Sequence, residues 1–80
     1  MEFESICLNI AKARLEKGIS AYELSLRIGK DASYINKLEN GKINLSIKSL
    51  LTICEELHIP PYILFEEKGE ETIIDNCGNG

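Results

Sequence analysis

The stretch SAYELSLRIGKDASYINKLENG, Ser20 to Gly41, reads as two short helices joined by a tight turn. Ser20 followed three residues later by Glu23 forms a capping box. Such a cap contributes about 1 kcal/mol. Leu24, Leu26 and Ile28 are the apolar residues of the first of these helices, and Gly29 stops it. A glycine at that corner takes a positive φ at no steric cost. The next helix is expected to begin at Asp31, an N-cap that also suits the positive end of a helix. Tyr34, Ile35 and Leu38 then point inward, while Ala32, Ser33, Asn36, Lys37 and Asn40 face out. Asn40-Gly41 closes the helix.

Working outward, the periodicity predicts a first helix over Phe3 to Lys17, with Phe3, Ile6, Cys7, Ile10, Ala13 and Arg14 on one side. Gly18 ends it. After the loop Lys42–Leu45, Ser46 caps a fourth helix running to about Leu57. Ile47, Leu50, Leu51, Ile53, Cys54 and Leu57 are read as its buried face. Pro60-Pro61 breaks the chain, and Pro61 suits the first turn of a fifth, short helix ending near Phe65. The fold class is therefore all-α, a compact five-helix domain over residues 1–65. Residues 66–80 are acidic, polar and glycine-rich and are expected to form a disordered tail.

The 80 residues make one small domain, 44% hydrophobic and 28% charged, as is ordinary for a soluble globular chain. No apolar run approaches the ~20 residues needed to span a bilayer, and MEFESICLNI lacks the features of a signal peptide. A cytosolic location and no membrane partner are expected. Cys7, Cys54 and Cys77 form no CxxC pair, and His58 is the only histidine, so neither a structural zinc site nor another metal is expected. Cys7 and Cys54 fall in apolar helical patterns and read as small buried hydrophobes. Cys77 reads as an exposed thiol in the tail.

The net charge of −4 argues at first against a polyanionic partner. Its distribution changes that: the charge is −2 over residues 1–4, −4 over 66–80 and +2 over 5–65. Screening over about 8–10 Å lets a basic face act independently of distant acidic ends.

Residues 6–65 resemble the Xre/Cro-type, lambda-repressor-like helix-turn-helix domains. The resemblance rests on Arg14 with Lys17-Gly18-Ile19-Ser20, Glu23-Leu24, Ile28-Gly29, Ser33-Tyr34-Ile35 and Lys37-Leu38-Glu39-Asn40-Gly41-Lys42. Leu50-Leu51, Ile53, Glu55, Leu57 and Leu64-Phe65 complete it. It implies five helices and an ion pair between Arg14 and Glu39 tying the first helix to the third. It also implies a homodimer reading two half-sites about 34 Å apart, with Tyr62, Ile63 and Phe65 as the candidate dimer surface. The chain departs from the family pattern at Ala21, Ala32, Ile43 and Leu45, where polar, cationic or proline residues are common, and at Lys30, which replaces an apolar turn residue.

The third helix is the candidate reader of the major groove. Ala32, Ser33, Asn36 and Lys37 would read bases: lysine donates to guanine, asparagine pairs with adenine, and alanine offers a methyl contact to thymine. Ser20, Ala21, Lys30, Lys42, Asn44, Ser46 and Lys48 would contact phosphates, from helix amino ends and the basic side chains beside them. The leading expectation is a sequence-specific DNA-binding transcription regulator, a repressor acting by occupancy on double-stranded DNA. The alternative is a protein-binding module on the same fold that has lost specific DNA binding. An enzyme is not expected: Ser33, His58 and Asp31 lie in no nucleophile motif, and ENGK and IGKD lack P-loop spacing. No cofactor or small-molecule ligand is implied.

Overall fold

A computed structural model describes residues 2–66. The chain forms α1 (Phe3–Glu16), α2 (Ala21–Arg27), α3 (Tyr34–Glu39) and α4 (Ile47–Leu57), followed by a 3-10 helix (Pro61–Phe65). No strand occurs among the described residues. The expected tail from residue 67 onward, with Cys77, lies outside them.

The serine caps are in place. Ser20 Oγ accepts from Glu23 N–H at 3.0 Å, and Ser46 Oγ accepts from Ser49 N–H at 3.1 Å. Each satisfies one of the amides that a helix start leaves without an internal partner. The reciprocal half of the capping box is absent, and the Glu23 carboxylate accepts from Arg27 Nε at 3.1 Å. Between α2 and α3 the backbone turns through Gly29 at φ 79°, a conformation that favours glycine.

Two expectations about the helices themselves are corrected. Among the described residues there are four α-helices rather than five, since the last element is a 3-10 helix. Pro60 and Pro61 supply no amide, and Ile63 N–H reaches back to Pro60 O at 3.1 Å. Such i→i+3 bonding is usual in pieces this short. The third helix begins at Tyr34, not beside Asp31. Asp31 Oδ1 accepts from both Ser33 N–H (2.9 Å) and Ser33 Oγ–H (2.7 Å), which holds residues 31–33 in a separate turn before the helix.

The core is built from one stripe of each helix. Ile10 of α1, Leu24 of α2, Ile35 and Leu38 of α3, Ile53 and Leu57 of α4, and Leu64 are essentially fully buried. Cys7 and Cys54 are also buried, and desolvation raises both thiol pKa values. Ile47 and Leu51 were expected inside but are 70% and 49% exposed. Leu26 is exposed as well. On α4 the buried residues are Leu50, Ile53, Cys54 and Leu57, a single i, i+3, i+4, i+7 stripe. Leu51 lies one residue off it, and Ile47 sits at the amino end beyond the core.

Polar atoms also hold the layers together. Asn9 is buried in α1, and its Nδ2 donates to Leu64 O at 2.9 Å and Glu66 O at 2.7 Å. That carboxamide fastens the 3-10 helix to α1.

Candidate nucleic-acid interface

The site is centred on α3. Ile35 and Leu38 are fully buried on one side, while Ala32, Ser33, Asn36 and Lys37 are all exposed. The opposite flank of the helix is thus open to solvent. Hydrogen bonds further define what it offers. The Ser33 hydroxyl proton is committed to Asp31, so Ser33 presents oxygen lone pairs outward and acts as an acceptor. The Asp31 carboxyl is held below the ordinary carboxylate range, first by the Ser33 hydroxyl and then by the Ser33 amide. A fixed negative charge therefore borders the amino end of α3. Asn40 Nδ2 donates to Asn36 O at 2.7 Å, and the Asn36 carboxamide nitrogen remains available to donate.

Two ties hold α3. At its carboxyl end, Arg14 grips Glu39 in a bidentate pair, Nε to Oε2 at 2.8 Å and Nη2 to Oε1 at 3.0 Å. Both side chains are only 12% exposed. Arg14 Nη1 also donates to Ile19 O at 2.9 Å, so one guanidinium joins α1, the loop after it and α3. The bond from Glu39 raises the Arg14 pKa further. At the other end, buried Ser25 of α2 accepts from Ile35 N–H at 2.9 Å.

Of the phosphate-contact candidates, Lys30, Ser46 and Lys48 come together. They line one surface cavity of about 320 Å³ with Ile28, Gly29, Ser49 and Thr52, where the α2–α3 turn meets the start of α4. Lys30 Nζ lies 5.1 Å from the centre of the Tyr34 ring, within cation–π range. Lys42 and Asn44 are exposed on the loop after α3. Ser20 stands apart, in a cavity with Lys17, Arg27, Glu56 and His58. Ala21 is half-buried. The Ser20 and Ser46 oxygens accept from their own helices, which leaves each hydroxyl proton free for an anion. Ile43 and Leu45, apolar where the family pattern is polar or proline, pack against the core and so are not aimed at a partner.

Tyr62 and Phe65 of the candidate dimer surface are 65% and 43% exposed, and Ile63 is half-buried. Leu51, Cys54, Ile59 and Pro61, together with Lys48, Thr52 and Glu55, line a groove of about 450 Å³. Tyr22 and Leu26 form a second exposed apolar pair, on α2.

Sequence reasoning missed Ser25 and Asn9. Both sit on the inner stripe of their helices, Ser25 with Ala21, Leu24 and Ile28, and Asn9 with Ile6, Ile10 and Ala13. A polar residue at a core position is the signal that it has a partner to satisfy.

Two short helices meeting at a glycine corner, the second laid across the first with its outer flank open, define a helix-turn-helix protein. The profile of the helix-turn-helix family matches residues 10–64. The chain belongs to that family, in its Xre/Cro-type branch, and so stands among DNA-binding transcription regulators. The fold is similar to that in the crystal structure of the hypothetical transcription factor NHTF from Neisseria, with a TM-score of 0.79 at 22% identity over 89% of this chain and 83% of that one. No curated protein matches this chain in sequence. Among the described residues no helix is long and apolar enough to cross a membrane, and no group of three His, Cys, Asp or Glu residues is placed to hold a metal.

Proposed function

We propose that the protein is a sequence-specific regulator that lays α3 in the major groove and represses by occupying its site. The carrying observation is the two-sidedness of α3: Ile35 and Leu38 have no exposure, while Asn36 and Lys37 are exposed, as are Ala32 and Ser33 in the turn before the helix. Lys37 donates to guanine O6 or N7, Asn36 pairs with adenine, and Ser33 accepts from an exocyclic amine. Lys30, Ser46 and Lys48 in one cavity, with Lys42 and Asn44 on the adjoining loop, take phosphates. Two copies joined through Tyr62, Ile63 and Phe65 would present two such helices to successive major grooves.

Selecting bound duplexes from a random DNA pool tests this. The expected result is an enriched motif whose affinity falls steeply with added salt. No enrichment would refute the reading and favour the second one, a protein-binding module. Exposed Tyr22 and Leu26, with Asp31 at the amino end of α3, are the observations on its side.

A further inference from the structure

Ser25 lies in the middle of α2, where it has no exposure at all. Its Oγ donates to Ala21 O at 2.8 Å and accepts from Ile35 N–H at 2.9 Å. We infer that this hydroxyl is a positioning group: it sets the tilt of α3 and thereby the register of the base-reading side chains. The inference rests on the reading of α3 proposed above.

Ile35 is the second residue of α3, so its amide has no partner within that helix. Its side chain is fully buried, and Ser25 lines none of the surface cavities described above. Bulk solvent therefore does not reach that amide in place of the hydroxyl. Without it, a buried donor is orphaned unless α3 moves to find another partner. Local preference runs the other way, since alanine is the better helix former at an interior position. The serine makes sense as a bridge between helices, not as a part of α2.

The leverage comes from where the bridge sits. α3 has only six residues, about 9 Å of helix at 1.5 Å per residue. Ile35 and Leu38 bury it against the core, but apolar packing is non-directional. Orientation is supplied by the two polar ties, Arg14–Glu39 at the carboxyl end and Ser25–Ile35 at the amino end. Ala32, Ser33 and Asn36 cluster at the amino end, and base reading tolerates only a few tenths of an ångström in donor–acceptor distance. Releasing Ser25 therefore disturbs base reading while leaving phosphate attraction in place.

The test compares the full chain with its Ser25→Ala variant. Ile53→Val, a core trim on α4, serves as a control for lost stability alone. Affinities are measured for the selected duplex and for random duplex at one salt concentration, well below every melting temperature. Ser25→Ala is expected to lose about tenfold on the selected duplex, comparable to one mismatched base pair, and less than about twofold on random duplex, where phosphates dominate. Ile53→Val should leave the ratio of the two affinities unchanged. Equal losses on both duplexes, or the same change of ratio in Ile53→Val, would overturn the inference. Residual dipolar couplings and Ile35 amide exchange on the DNA-free protein give a second readout. Ser25→Ala should change the α2–α3 angle and speed that exchange. Should the wild-type chain select no sequence, the DNA reading fails and this second measurement decides: an unchanged angle overturns the positioning role, and a changed one upholds it.

Discussion

Replacing Glu39 by glutamine keeps the shape of the side chain and removes the charge that Arg14 holds. In the native pair, Nε and Nη2 of Arg14 each donate to a carboxylate oxygen, at 2.8 and 3.0 Å. Glutamine retains one acceptor and turns an N–H₂ group toward the other donor. A hydrogen bond to a charged group contributes about 1.5–3 kcal/mol. Stripping one partner from a fully buried pair costs about 3–5 kcal/mol. With both side chains 12% exposed, some water reaches the stranded guanidinium, and about 2–3 kcal/mol is the expected loss. In a domain this small that lowers the melting temperature by about 10–20 °C. Thermal unfolding followed by circular dichroism measures it. The double variant Arg14→Met/Glu39→Leu should regain most of the loss, because an apolar pair carries no desolvation penalty. A melting temperature within about 3 °C of wild type for Glu39→Gln would refute the view that this pair anchors α3.

Asp31 titrates below the usual carboxylate value of about 3.9 because Ser33 donates to it twice. The depressed folded-state pKa means that its stabilising contribution is fully present above about pH 4 and is lost as pH falls through the folded value. Carboxyl NMR should show the low midpoint, and Ser33→Ala should move it upward. His58 ends α4 in the left-handed region at φ 58°, a conformation that costs an L-residue about 1–2 kcal/mol; less the entropic cost of glycine, His58→Gly should raise stability by about 0.5–1 kcal/mol, read as a higher melting temperature. Cys7 and Cys54 are buried with raised pKa values. In a Cys77→Ser variant, a thiol reagent at neutral pH should therefore react only as urea unfolds the chain; rapid reaction in the native state would contradict the packing around both residues.

The helix starts that were legible in the sequence are those with side-chain caps. Ser20 and Ser46 each need an amide two or three residues ahead, and each has one. Asp31 looked like a third case, but its carboxylate bonds Ser33 within a separate turn, and α3 starts later. Composition does not distinguish these outcomes, because the same Asp-x-Ser serves either. The burial of α4 was read too widely for a different reason. Apolar residues cover a broad arc of that helix, and the assembled fold buries only the stripe with Leu50, Ile53, Cys54 and Leu57, leaving Leu51 one residue off it. The final element failed on length: Pro61 permits an α-helical start, yet five residues are too few to make the i→i+4 pattern pay. The open flank of α3 was visible from spacing. What orients it was not, because a serine among apolar neighbours declares its bond to Ile35 only once the helices are assembled.

The Asn9 clamp has a consequence for how the molecule tolerates change. Its carboxamide grips main-chain oxygens at residues 64 and 66, atoms that every amino acid supplies. Side chains at the surface of that segment can therefore be exchanged without loosening the grip, while its main chain stays moored to α1. Residues 64 and 66 thus keep one defined berth on the body of the protein, whichever amino acids stand there.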